Sequence, residues 1–373
     1  MTSEAFFEQL DSHRGQRLPF VAYRKPNTDA IIAMLQKDET LYTTTEFTET
    51  GFVFAPFDDR EDAVLIPLER SELCSVIPEK AGISSNEVKS SFVEDHTDKT
   101  THIDLVQKGI DAITKGDLRK VVLSRTENVT LSESNPLGIF KRLLSKYPTA
   151  FVYCFYHPKV GLWLGATPET LLKIEGHQLF TTALAATQQY QGTMDVQWPA
   201  KEREEHWIVT NFIEGRLKSV VNHLKVGEVE TVKAGSLLHL KTNISGTLDE
   251  KGLNFKHLLG TLHPTPAVCG LPKEEAKQFI LEHEHYNREF YTGFLGELNL
   301  KKRTRRHTNR HNAEHDAFAA MMTVSNLFVN LRCVQLKSNN ATIYVGGGIT
   351  KDSNPEAEWE ETVNKTQTIK SVL

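Results

Sequence analysis

Apolar residues in this chain come mostly in short runs cut by polar turns, a pattern that predicts strands rather than helices. FVAYRKP (20–26), GFVFAPF (51–57) and AVLIPL (63–68) are such runs, the last two joined by the acidic loop DDRED. AIIAMLQKD (30–38) is as apolar but fits either period. Residues 80–100 are polar and read as a linker. They set off an N-terminal α/β part (1–100) from a chemically richer region (101–373), both within what is effectively one structural domain.

Past the linker, Ile103, Val106, Ile110 and Ile113 fall at helical spacing and predict a helix over 101–115. Strands follow at 120–131, 150–158, 160–166, 170–176 and 178–186, the last pair separated by the turn EGHQ. Helices are expected over 201–224 and over 272–284, with Pro272 in the first turn of the second. Residues 327–349 read as a hairpin turning at Ser338-Asn339-Asn340, and NPEAEWEETVNKTQTIKSVL as a closing helix. Many antiparallel strands with helices grouped apart from them give the expected fold class: α+β, a large layered sandwich of antiparallel sheets and helices.

Composition alters this picture little. The 373 residues carry a formal net charge of -5, which argues against a nucleic-acid partner. The start, MTSEAFFEQLDSHRG, lacks the apolar core of a secretory signal. No apolar run reaches the ~18 residues of a membrane span. Cys74, Cys154, Cys269 and Cys333 are far apart and form no CxxC pair, as expected in a reducing, cytoplasmic setting. No heptad or apolar stripe calls for tight assembly, so a monomer or weak homodimer is expected. The basic segment 301–315, with His307, His311 and His315 at four-residue spacing, reads as a solvated loop or helix tip. A metal site, an anion site or a subunit contact is the alternative there.

Five features could carry chemistry. In GGGITKDSNPEAEWEETVNK (346–365) a glycine run leads into a helix start at Asn354-Pro355. Glycine lets a backbone approach a ligand closely. Glu358, Glu361 and Lys365 share one face of that helix. Two such carboxylates suit a hard divalent cation, and the lysine suits a substrate carboxylate. An acidic face with a Glu361–Lys365 pair is the plainer reading. In KEREEH (201–206), Glu202 and Glu205 sit near a helix start, where the dipole alone favours them. In GATPETLL (165–172), Glu169 follows a strand and a Thr-Pro turn, as a general acid or a turn residue. Lys120 opens an apolar strand, as an exposed flank or as a base made neutral by burial. Arg332, inside the apolar stretch LFVNLRCVQL, needs an anion, either a protein carboxylate or a ligand.

Taken in order, these segments resemble the chorismate-utilising enzymes, the family of anthranilate synthase component I, aminodeoxychorismate synthase, isochorismate synthase and salicylate synthase. The resemblance covers roughly residues 100–373. It is carried by KVVLSR (120–125), GATPETLL (165–172), TALAAT (182–187), KEREEH (201–206), LHPTPAVCG (262–270), EHYNREFYTGFLG (284–296), NLRC (330–333) and YVGGGITKDSNPEAEWEETVNK (344–365). It implies a Mg²⁺-dependent displacement on the chorismate ring, in which a nucleophile adds at C2 while the C4 hydroxyl leaves. By the same resemblance Glu205 and Glu361 are magnesium ligands, with Glu358 in or next to the metal shell. Glu169 is the acid for the departing hydroxyl. Arg332, Lys365 and the backbone around Gly346, Gly347 and Gly348 hold substrate carboxylates. Tyr291 and Gly293 match a pocket segment, and His263 matches a histidine facing the ring.

The resemblance also bears on the nucleophile. Lys120 stands where the water-using members carry their base, and anthranilate synthases have glutamine there. Ala185, in Leu184-Ala185-Ala186-Thr187, replaces the nucleophilic lysine of the aminodeoxychorismate branch. Ala267 follows the HPTP motif where members that go on to expel pyruvate have a polar residue. The expected activity is therefore the Mg²⁺-dependent, reversible conversion of chorismate to isochorismate, a precursor in menaquinone or siderophore biosynthesis. A salicylate synthase and a catalytically weakened chorismate- or partner-binding relative are the alternatives. One departure stands out: Ala186 occupies a position where the family has glycine.

Overall fold

The computed structural model describes residues 1–78, 96–235, 237–249, 254–304 and 320–373. Its first elements are α1 (Ser3–Gly15), β1 (Phe20–Arg24), β2 (Ile31–Gln36), β3 (Tyr42–Thr44), β4 (Gly51–Ala55), β5 (Ala63–Pro67) and β6 (Ser71–Val76). Next come α2 (His96–Lys115), β7 (Lys120–Thr130), α3 (Pro136–Lys146), β8 (Phe151–His157), β9 (Gly161–Thr167), β10 (Thr170–Glu175) and β11 (Gln178–Gln189). They are followed by α4 (Ala200–Leu217), β12 (Asn222–Ala234), β13 (Leu237–Thr247), α5 (Phe255–Leu262), β14 (Gly270–Leu271) and α6 (Lys273–His283). The chain closes with β15 (Phe294–Thr304), β16 (Ala320–Val329), β17 (Cys333–Lys337), β18 (Asn340–Ile349) and α7 (Pro355–Lys370).

The strands form two nine-stranded sheets, ordered β14-β7-β18-β17-β9-β8-β1-β2-β6 and β12-β13-β11-β10-β16-β15-β4-β5-β3. Strands of residues 20–76 extend both sheets, so the N-terminal part shares its cores with the rest. β8 shows why its sequence is apolar throughout: Phe151, Tyr153 and Phe155 point between the sheets, while Val152 and Cys154 face the outer helices. A strand buried on both faces cannot alternate. Between the sheets lies an aromatic layer, with Phe151 stacked on Phe328 at 4.2 Å and Tyr23 against Phe52 at 5.2 Å. α1 and α3 cover one outer face, α4 and α5 the other, and α2 and α6 pack over Val121, Leu123 and Ile349. The α+β layered sandwich is as expected. No helix among the described residues is long and apolar enough to cross a membrane.

Several expectations move. The ambiguous run 30–38 is a strand, paired from Ile31 opposite Val76 to Gln36 opposite Ser71. The helix expected to start at 101 starts at His96, and residues 80–95 of the expected linker lie outside the described residues. α4 stops at Leu217 instead of reaching 224. The β-branched Val220 and Val221 disfavour helix, and Val221 packs where a Cβ on Gly246 would stand, bringing the chain onto β13. Most of the basic segment, 305–315, also lies outside the described residues.

The site is framed where β7 and β18 pair, with Gly346 opposite Ser124, Gly347 opposite Leu123 and Gly348 opposite Val122. Arg288 fastens its surroundings. The guanidinium is nearly inaccessible and donates from Nε and Nη2 to Glu284 at 2.7 and 2.6 Å. It also donates to the carbonyls of Val122 and Val268 at 2.7 and 3.0 Å and to the Thr292 hydroxyl at 3.2 Å. Glu284 in turn accepts from the Ser124 amide at 2.7 Å. Arg288→Met leaves a buried carboxylate unpaired and should cost about 3–5 kcal/mol in urea unfolding. Adding Glu284→Gln should recover part of that loss.

Candidate active site

Asn354 caps α7 by accepting from the Ala357 amide, and Pro355 opens its first turn. This fixes the start of the helix, so Glu358, Glu361 and Lys365 project together toward the glycine run of β18. A Cβ on Gly347 would stand 3.5 Å from Glu358 Oε2 and 3.8 Å from Glu361 Oε1. A Cβ on Gly348 would lie 2.5 Å from Glu205 Oε1 and 3.0 Å from Lys120 Cε. Two glycines thus give up side chains to carboxylates from two helices. β17 runs out at Val334 opposite Ile343, so beyond that point β18 pairs with β7 alone. One edge of the glycine run is left without a strand partner.

Charges are closely matched here. Lys120 Nζ, fully buried, donates to Glu205 at 2.8 Å. Lys201 Nζ lies 2.5 Å from Glu358 Oε1, and Lys365 Nζ lies 2.6 Å from Glu361 and 3.0 Å from the Gly346 carbonyl. Burial pushes Glu205 up, but Lys120, Lys365 and Lys201 outweigh it and hold the carboxyl below its usual value. Burial and the neighbouring Glu361 raise Glu358. Burial, then Glu205, push Glu202 up to about 7. Glu202 is a fourth acid of this cluster, one that the sequence assigned to the helix dipole as readily as to a site.

Glu169 contrasts with these acids. It is 5% exposed, and burial pushes its carboxyl up to about 8 against the pull of Lys120, Arg332 and Lys365. It is thus a neutral acid at pH 7, close enough to three cations to feel each of them. Arg332 has a φ of 49°, and among the described residues its guanidinium hydrogen-bonds only Thr368, at a long 3.4 Å. It lines a cavity of about 70 Å³ with Val122, Ala267, Tyr291, Gly346 and Lys365. That is smaller than the ~300–1,000 Å³ typical of small-molecule sites, so a ligand must displace side chains to enter.

Ala186 and Thr187 lie beside His239, whose ring feels the charges of Arg332, Lys365 and Glu205. The register of β11 against β13 shifts after Ala185, and Ala186 takes a φ of 66°. The Ala186 carbonyl accepts a hydrogen bond from His239 Nδ1 at 2.8 Å, which makes Nδ1 the protonated nitrogen. His239 Nε2 is then a bare acceptor, buried without a partner. Burial, with Arg332 nearby, lowers this ring to about 3, so it stays neutral. Nothing along the chain singles out His239, since a histidine in an apolar strand reads as core. Two expected residues stand apart. His263 packs on Phe294 at 5.2 Å and lines a separate cavity of about 410 Å³ with Phe47 and Asp59. Gly293 meets backbone instead, since a Cβ there would lie 2.0 Å from the Ala55 carbonyl oxygen.

Among the described residues, no three metal-binding side chains are close enough as they stand to hold an ion. The donors nevertheless suit one. They are carboxylate oxygens, the donors a hard cation prefers, and the buried Glu358 Oε2 has no hydrogen-bond partner.

Comparison with known proteins places the chain in a family. The family described as chorismate binding enzyme matches residues 52–304, and a second match to that description covers 321–371. The chain belongs to the chorismate binding enzyme family. It is 29% identical over 287 residues to isochorismate synthase MenF of Escherichia coli, covering 74% of this chain and 61% of that one. It is 28% identical over 282 residues to isochorismate synthase DhbC of Bacillus subtilis, covering 71% and 65%. These alignments therefore span less than two thirds of the relatives' length. The solved structure of E. coli MenF, a menaquinone-specific isochorismate synthase, shares the fold with a TM-score of 0.73 at 22% identity, covering 95% of this chain and 88% of that one.

A left-handed alanine costs about 1–2 kcal/mol relative to an unstrained residue. Ala186→Gly should therefore raise unfolding stability by about 1 kcal/mol in a urea titration.

Proposed function

We propose that this chain is an isochorismate synthase, interconverting chorismate and isochorismate. The observation that carries the proposal is that Lys120 lies near enough to Glu169 for its charge to act on that carboxyl. One is a buried amine, the other a carboxyl kept protonated by burial. A buried amine near a protonated carboxyl can serve as base and acid in one reaction. In the forward direction Lys120, once its resting ammonium has given up a proton, takes a proton from water as the water oxygen bonds to C2 of the ring. The ring double bond shifts, and the C4–O bond breaks as Glu169 gives its proton to the departing hydroxyl, which leaves as water. One hydroxyl is gained and one lost, so the product is an isomer of the substrate.

Arg332 and Lys365 supply the positive charge for the substrate carboxylates, and the unpaired edge of the glycine run supplies backbone groups. Glu205 and Glu361, with Glu358, would hold a magnesium ion, which supplies further positive charge for the ring carboxylate. Ala185 offers no amine to compete with water, and Ala267 leaves the cavity floor apolar. Support also comes from the relatives named as isochorismate synthases.

Incubation with chorismate and Mg²⁺ should yield isochorismate by chromatography, without pyruvate. Release of salicylate and pyruvate, or no turnover, would contradict the reading. Lys120→Ala should lower kcat/KM by at least ~10²-fold, the usual scale of a general base. Near-wild-type rates would dismiss Lys120 from that role.

The same acid sets a pH dependence. Free-enzyme Glu169 carries its proton below about 8 and loses it above, so kcat/KM should fall as pH rises through about 8. His239, lowered to about 3, and His206, lowered to about 4, both chiefly by burial, do not titrate there. A pH–rate profile checks this; Glu169→Gln should remove activity at every pH.

A further inference from the structure

The three lysine–carboxylate pairs of the site are not equivalent. Lys120 is walled in completely, and Lys365 is also tied to the Gly346 carbonyl. Lys201 is different. It sits in the first turn of α4, its side chain is 25% exposed, and it bonds to Glu358 from the solvent side. The Glu358 side chain it touches is 2% exposed. Lys201 engages Oε1, and Ser353 also favours the ionised carboxylate. Oε2 is buried, has no partner, and faces Gly347 beside Glu361 Oε1. A buried carboxylate is costly unless a cation stays with it. Lys201 meets that need with a flexible stem that can swing into water, an exit that Lys120 lacks.

We propose that Lys201 is the resident counter-ion of the metal site, holding Glu358 while no metal is bound and moving out to solvent when a divalent cation takes that carboxylate. The inference rests on the metal-site reading above and adds a competitor to it. The ammonium and the metal share one carboxylate, so metal affinity is lower than the four acids alone would give. The lysine also keeps the acids from repelling one another while the site is empty.

The test is direct binding of Mn²⁺, a hard divalent probe, to the full chain without substrate, following the electron paramagnetic resonance signal of free aqueous Mn²⁺. Lys201→Met should bind Mn²⁺ about tenfold tighter or more, the change expected when a competing contact of about 1.4 kcal/mol is removed. Lys201→Gln, which keeps a polar tip, should move the same way. Lys201→Arg, whose planar fork can engage both oxygens of Glu358, should bind no tighter than wild type. Equal or weaker binding by both neutral variants would overturn the inference and make Lys201 a residue that orients Glu358 for the metal. Absence of binding by wild type and variants alike would overturn the metal-site reading, and the inference with it. Binding by the neutral variants alone would support both.

Discussion

The pairing of β7 with β18 is the constraint on which the rest of the site depends. Ten consecutive residue pairs, from Asn340 opposite Thr130 to Ile349 opposite Val121, fix which side chains face the interior. Because side chains alternate along a strand, a slip of one residue would turn Lys120 away from Glu205 and set Val121 in its place. The same register lays a glycine run across from Leu123 and Ser124, where side chains would collide with Glu205 and the Tyr291 hydroxyl. Helices α4 and α7 then need only bring their carboxylates to a strand that has made room for them.

Burial divides the acids of this cleft into two kinds. Glu169 is enclosed and has no bonded cation, so it keeps its proton. Glu205 is enclosed against Lys120 and gives its proton up. The sheet scaffold achieves this contrast through position alone, with identical side-chain chemistry. Strained backbone gathers at the same place: Ala186, Thr292 and Arg332 all have positive φ and all border the cleft. Each is bulkier than the glycine such angles favour, and each is held by surrounding hydrogen bonds or packing.

Much of this could be read from the chain. Motifs that demand particular residues, such as the glycine run or the Thr-Pro turn before Glu169, can be recognised at any distance. The layered antiparallel class followed from apolar runs and turns. Other features are set by tertiary distance and leave no local trace. Lys120 meets Glu205 across 85 positions of sequence, and Lys201 meets Glu358 across 157. His239 reads as a core histidine until Ala186 is found opposite it. β12 is mostly exposed and polar, so it lacks the alternation that would announce a strand. Val220 and Val221 look like a helix continuing until Gly246 opens a place for them.

The pairing of lysines with carboxylates has a thermodynamic consequence. Lys120, Lys201, Lys365 and Arg332 balance Glu202, Glu205, Glu358 and Glu361 when all four acids are ionised, and the protonated Glu169 adds nothing. The empty cleft is then neutral once Glu202, raised to about 7, has lost its proton. A dicarboxylate entering alone would leave it two charges negative, and a divalent cation alone two charges positive, while both together restore neutrality. Each should therefore strengthen the binding of the other by the same factor, as reciprocity between linked sites requires. On the function proposed above, substrate dianion and metal would then enter and leave such a cleft as a pair.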